Sequence, residues 1–161
     1  MEMAKDAKEN KGLTIYPRDL SVTWGNDARY WKWFWLLFES DDYKVIEIPR
    51  LLNVCWLEIS GSISMMSLRI GLKYEVAFVI MMKSPEGWEN SPVTLRLDLP
   101  DGKPRVRDID LSTVPTDTWV TIPVDVFTAT TTKGRVGFSM KEITRLLWKR
   151  GLIIKCVVQV L

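Results

Sequence analysis

The feature that most constrains this chain is its period-two alternation of apolar and polar residues, which runs from about residue 13 to the end. Such a pattern gives a strand one buried face and gives a helix none. Val93, Leu95, Leu97 and Leu99 alternate with Thr94, Arg96 and Asp98. Val136, Phe138 and Met140 do so against Arg135, Ser139 and Lys141. Val120, Ile122 and Val124 alternate with Trp119 and Thr121, and Pro123 marks that strand as an edge or a bulge. Residues 74–82 form the longest predicted strand, with Tyr74, Val76, Phe78, Ile80 and Met82 on one face and a second face that is also apolar.

Further strands are predicted over residues 43–48 and 53–59, the latter central because both its faces carry bulk. Leu20, Val22 and Trp24 share a face in an early strand, which predicts a buried base for Trp24. Leu152, Ile154, Cys156, Val158 and Val160 alternate in a closing one. Gly, Pro, Asn and Asp mark turns at 83–92 and 100–104. The one predicted helix is two turns over residues 142–148. The sum is an all-β antiparallel β-sandwich of about 8–10 strands, a single domain over residues 13–161 behind a polar tail at 1–12.

Charge and residue types narrow the chemistry. The net charge of +2 calls for no polyanionic partner, and no apolar run approaches the roughly 20 residues of a membrane span. The first residues are polar with no apolar core of a secretory signal, which predicts an intracellular chain. With no histidine, Ser-His-Asp and Cys-His machinery are absent, and zinc lacks its usual ligands, so no metal and no cofactor is expected. Phosphate loops of the GxxxxGK[ST] or GxGxxG type are missing too. Cys55 and Cys156 sit in apolar runs and read as buried reduced thiols, a bridge between them being left open.

Four of the eight tryptophans fall between Trp24 and Trp35, around the turn-forming Gly25-Asn26-Asp27. Aromatic faces beside amide and carboxylate groups suit a sugar ring, whose C–H faces stack while its hydroxyls take donors and acceptors. The same residues also read as core aromatic side chains at a bend. On the first reading Trp24 and Trp31 are the stacking faces, Asp27 and Tyr30 the polar contacts, and Lys32 to Trp35 the packed support. Trp88, in a Gly/Pro/Ser loop, reads equally as an exposed ring or as an anchor.

Two other readings stand beside it. The carboxylate pairs Asp41-Asp42, Glu86 with Glu89, and Asp108 with Asp110 are what a glycosidase would need. Lys149-Arg150, Lys133 and Arg135 with the tryptophans would suit stacked RNA.

Several blocks add a resemblance. Asp19-Leu20-Ser21-Val22-Thr23-Trp24-Gly25-Asn26-Asp27 with Tyr30-Trp31-Lys32-Trp33 resembles the opening motif of the plant phloem lectins, the Nictaba-related phloem protein 2 family. Leu52 to Gly61, Tyr74 to Val79, Asp117 to Ile122, and Met140 to Ile143 with Trp148 to Ile154 are similar to its later blocks, in order. The resemblance implies a jelly-roll β-sandwich and a non-catalytic lectin for N-acetylglucosamine oligomers and the N-glycan cores that carry them. It also implies a nucleocytoplasmic or phloem-sap location and frequent homodimers. Among site residues it implies Trp24 and Trp31, with Glu142 assisting from the closing motif. The chain departs from the pattern in lacking a Lys-rich nuclear signal and in carrying Arg135 where a relative has an acidic residue.

Overall fold

The computed structural model describes residues 13–100, 102–145 and 147–160; the tail expected at 1–12 lies outside them. Eleven strands form two antiparallel sheets packed as a jelly-roll β-sandwich. They are β1 (Leu13–Ile15), β2 (Ser21–Val22), β3 (Trp31–Phe38), β4 (Lys44–Leu51), β5 (Leu57–Ser64), β6 (Lys73–Glu86), β7 (Val93–Asp98), β8 (Arg105–Ile109), β9 (Trp119–Thr128), β10 (Arg135–Glu142) and β11 (Arg150–Val160). One sheet runs β3-β4-β11-β6-β9, with β1 also on β11; the other runs β2-β5-β10-β7-β8.

The alternation works where a strand has one buried face. Val93, Leu95 and Leu97 of β7 meet Val136, Phe138 and Met140 of β10 in the main core, opposite Tyr74, Val76, Phe78, Ile80 and Met82 of β6. Strand β6 is the longest, as expected, and lies between β11 and β9; β9 with Pro123 is an edge with a register shift beside that proline. A second, smaller core lies on the outer face of the six-stranded sheet, where Phe38, Ile46, Ile48 and Ile153 are buried.

Four expectations are corrected. No helix is formed among the described residues of 142–148: β10 ends at Glu142, and residues 143–145 and 147–148 are irregular. In β11 a bulge between Ile154 and Cys156 resets the alternation, so Val157 rather than Cys156 joins Leu152 and Ile154 in the main core. Cys55 precedes β5 and is only half-buried, Cys156 is buried, and both are free thiols. Trp35 is not packed but 66% exposed.

Arginines of β8 tie it to β9. Arg107 Nε donates to the Pro123 carbonyl at 3.0 Å, and the Arg105 guanidinium donates to the Val126 carbonyl beside Asp125. Both groups bridge the two sheets, since β8 and β9 belong to different ones.

Candidate functional site

The candidate residues converge on one end of the sandwich, where backbone hydrogen bonds stitch three loops together. In the first, residues 23–30, successive turns form: Gly25 N–H donates to Val22 O at 2.8 Å, Asp27 N–H to Trp24 O at 3.0 Å and Tyr30 N–H to Asp27 O at 3.0 Å. Gly25 is needed here, because a Cβ would lie 2.8 Å from the Val22 carbonyl oxygen. The second loop, residues 52–56, is tied to the first by Leu52 N–H donating to Tyr30 O at 2.8 Å. The third, described over residues 143–145 and 147–149, is tied to the second by reciprocal bonds between Val54 and Lys149, 2.8 and 3.0 Å.

Trp24 is the residue the alternation misplaces. β2 stops at Val22, and Trp24 adopts φ +61°, a left-handed conformation unusual for a bulky side chain. That backbone turns its ring outward, 48% exposed, against Tyr30 with centroids 5.1 Å apart and planes tilted by 34°. Arg29 lies 5.1 Å over the Tyr30 ring. The Asp27 carboxylate accepts from the Arg29 backbone N–H at 2.9 Å and from its guanidinium at 2.7 Å. These bonds to Arg29 hold the Asp27 carboxyl down at a pKa of about 2.

Trp31 sits elsewhere in the same end. It is 2% exposed and belongs to the main core, with its Nε1–H lacking a protein acceptor among the described residues. Trp33 is half-buried, donates from Nε1 to Gly25 O at 2.7 Å, and is covered by the Arg18 guanidinium at 3.6 Å. Between the turn and β3 runs an open groove of about 490 Å³ lined by Arg18, Asn26, Lys32, Trp33 and Leu52, with Trp31 at its base.

Glu142 is nearly fully buried. Its carboxylate accepts from Arg145 N–H at 2.7 Å and Thr144 Oγ1 at 3.3 Å, and lies 3.8 Å from the fully buried Lys149 ammonium. Lys149 also donates to Leu147 O at 2.8 Å, and burial pushes its pKa down against the pull of Glu142. This pair shapes the third loop from inside. Trp88 is the anchor of the two readings: it is buried, and its Nε1–H donates to Arg150 O at 2.9 Å.

Two tryptophans of this end escaped the reading of residue patterns. Trp148 is 55% exposed on the third loop; Trp56, also exposed, donates from Nε1 to Glu58 Oε1 at 3.0 Å. In the predicted strand over residues 53–59, alternation puts Trp56 among the bulk of one face. The signal against that was Glu58 two residues on, which shares its face and pairs with Lys141 at 3.6 Å.

Each carboxylate pair of the glycosidase reading has at least one member held by a local partner. Asp41 pairs with Lys155 and Glu86 with Arg150, Asp108 accepts from Thr94, and Asp110 accepts from Ser112. Lys149 is buried away from any strand of nucleic acid, and Arg135 donates to Ser62 Oγ at 2.8 Å.

Fold and site together define a β-sandwich module that presents aromatic side chains from its loop end. The family model described as Phloem protein 2 matches residues 10–159, and the chain belongs to that family. Among its relatives, Protein PHLOEM PROTEIN 2-LIKE A1 of Arabidopsis thaliana is 35% identical over 94% of this chain, which spans 62% of that protein's length. A lectin of Luffa acutangula is also 35% identical, over 93% of this chain and 70% of its own length. Among solved structures, the GH26-CBM35 β-(1,4)-mannanase of Podospora anserina matches 94% of this chain with 28% of its own, at a TM-score of 0.54 and 8% identity, a likeness of fold. No helix among the described residues is long and apolar enough to cross a membrane.

Proposed function

We propose that the chain is a non-catalytic lectin that binds N-acetylglucosamine oligomers, and N-glycan cores carrying them, at the loop end. The observation that carries this reading is the exposed Trp24 ring tilted against the half-buried Tyr30, with Asp27 and Arg29 at its rim. A pyranose ring lays its C–H face on such a plate, while its hydroxyls and acetamide reach the carboxylate and guanidinium beside it. Trp56 and Trp148 extend the aromatic surface for further sugar units. Trp31 and Glu142 act from beneath, Trp31 by packing under the first loop and Glu142 by holding the third. The lectin name of the Luffa relative supports the same ligand class. The protein works as a homodimer in the cytoplasm or the phloem sap, where two sites raise avidity.

Titration calorimetry with chitotriose tests the reading. Micromolar binding, about −8 kcal/mol, is expected at one site per chain, with the trisaccharide recovered intact after long incubation. Shortened products would make the chain a glycosidase. No heat with chitotriose, together with strongly salt-dependent RNA binding, would replace the lectin by an RNA carrier.

The affinity is also expected to be flat between about pH 5 and pH 8, since the chain has no histidine to titrate there. Because the Asp27 pKa is depressed to about 2, its contribution is complete above the ordinary carboxylate range of about 4 and fades only as pH falls toward about 2. Calorimetry from about pH 8 down to about pH 2 checks it; affinity that holds unchanged through that fall would remove Asp27 from the site.

A further inference from the structure

The β3–β4 hairpin has a bare side. The opposing sheet ends at the two-residue β2, and past it the hairpin exposes Trp35 at 66%, Tyr43 at 70%, and also Leu36, Leu37 and Val45. Trp35, Leu37 and Val45 lie on the face that would otherwise meet the other sheet, since Trp35 pairs with Glu47 and Leu37 with Val45, in step with Trp31 and Leu51 of the core. With Tyr43 these are large apolar side chains left to solvent, the kind of surface that marks an interaction site when contiguous.

The same strand is also an open edge. β3 pairs only with β4, so one side of an eight-residue strand presents unpaired backbone groups. The devices that usually blunt an edge, a proline, a bulge or a row of charges, are missing from Trp31-Lys32-Trp33-Phe34-Trp35-Leu36-Leu37-Phe38. By contrast Arg105 and Arg107 occupy carbonyls of β9, β8 is five residues long, and β1 and β2 offer only three and two.

We propose that this edge binds a second copy of the chain, β3 against β3 in antiparallel register, joining two sheets into one. A two-fold axis normal to the sheet keeps each face on its own side, so only residues an even number apart, or the same residue, pair across it. Two such registers pair seven residues. The one centred on Phe34 uses a pair on Trp31, which is already buried. The one centred on Trp35 places Trp35 against the partner's Trp35, Trp33 against the partner's Leu37, and Phe34 against the partner's Leu36, which covers the bare half.

Charge favours the same arrangement. Lys32 lies near the start of the strand and Glu39 and Asp42 just beyond its end, and none of the three has an ion-pair partner among the described residues. Antiparallel pairing brings Lys32 beside the partner's Glu39, whereas parallel pairing would set like beside like. The occupant is therefore this chain rather than an unrelated strand. The inference rests on the homodimer reading above and gives it a surface.

Sedimentation equilibrium of the full chain and of Trp35→Lys tests it, with chitotriose titrated into both. The wild type is expected to be dimeric, and the variant to dissociate about 30-fold or more readily, a central aromatic hot spot being removed, with sugar affinity per chain unchanged. Trp35→Cys adds a register test. Directly opposed residues lie about 4.5–5.5 Å apart at Cα, within disulfide reach, so diamide should link that variant to its own copy. Lys32→Cys should not link, its copies being separated by six residues of strand, about 20 Å. A wild-type dimer that Trp35→Lys leaves intact would overturn the surface alone. A wild type that is monomeric throughout would overturn the dimer as well, while the chitotriose titration still decides the sugar site by itself.

Discussion

Glu142→Gln is expected to destabilise the fold by about 3–5 kcal/mol, a fall in Tm of roughly 10 °C for a domain of this size. The carboxylate is nearly enclosed and faces the ammonium of Lys149, which is fully buried. Glutamine keeps the shape and much of the hydrogen bonding to residues 144 and 145 but leaves Lys149 as a buried, uncompensated cation. Burial already depresses the Lys149 pKa, and without Glu142 it falls further. A lysine whose folded pKa lies below its unfolded value binds fewer protons when folded, so the stability of the variant should rise with pH toward the ordinary lysine range of about 10. Thermal melts at about pH 7 and about pH 9.5 check the sign. Adding Lys149→Met should restore most of the loss, since a buried pair exchanged for an apolar side chain is often near neutral. A Glu142→Gln protein that melts like the wild type would mean that the carboxylate does not hold the loop.

The second large effect is on binding. Trp24→Ala is expected to weaken chitotriose binding tenfold or more, about 1.4 kcal/mol, with stability changed by no more than about 0.5 kcal/mol, as for other exposed positions. Trp24→Gly should bind as weakly and be at least as stable, because glycine takes the +61° φ of this position without strain. Unchanged affinity in both folded variants would show that the plate lies elsewhere. Trp31→Ala separates less. Its ring is 2% exposed, so truncation opens a core cavity at a cost of about 3–5 kcal/mol, and lost sugar retention would follow from disorder alone.

The sequence made the core strands legible and the special positions illegible, for physical reasons. β6, β7 and β10 have one face each in the main core, and period two reports that directly. β8 escaped because its anchors are Arg105 and Arg107, which reach neighbouring carbonyls from an exposed strand and leave no apolar period. That no helix forms among the described residues of 142–148 was out of reach of residue pattern, since Glu142 ends β10 and is held by Lys149, whose burial the pattern does not report. Trp24 appeared buried because alternation was carried one turn past the end of β2, where a left-handed residue reverses the side-chain direction. The aromatic loop end was half legible: the Trp24 to Tyr30 segment stood out by composition, whereas Trp56 and Trp148 join it through backbone bonds between distant loops.

The arginine ties from β8 to β9 set how far the proposed assembly can run. A sandwich with two free sheet edges can add copies at both, and nothing stops such a chain from growing into a filament. Here carbonyls of β9 are capped from the neighbouring sheet, which leaves β3 as the long open edge. An object with a single sticky side is used up by its first partner. The proposed association through β3 would therefore end at two, with the arginines as stoppers against polymerisation: Arg105→Ala with Arg107→Ala is expected to uncover the means for such a dimer to become a fibre.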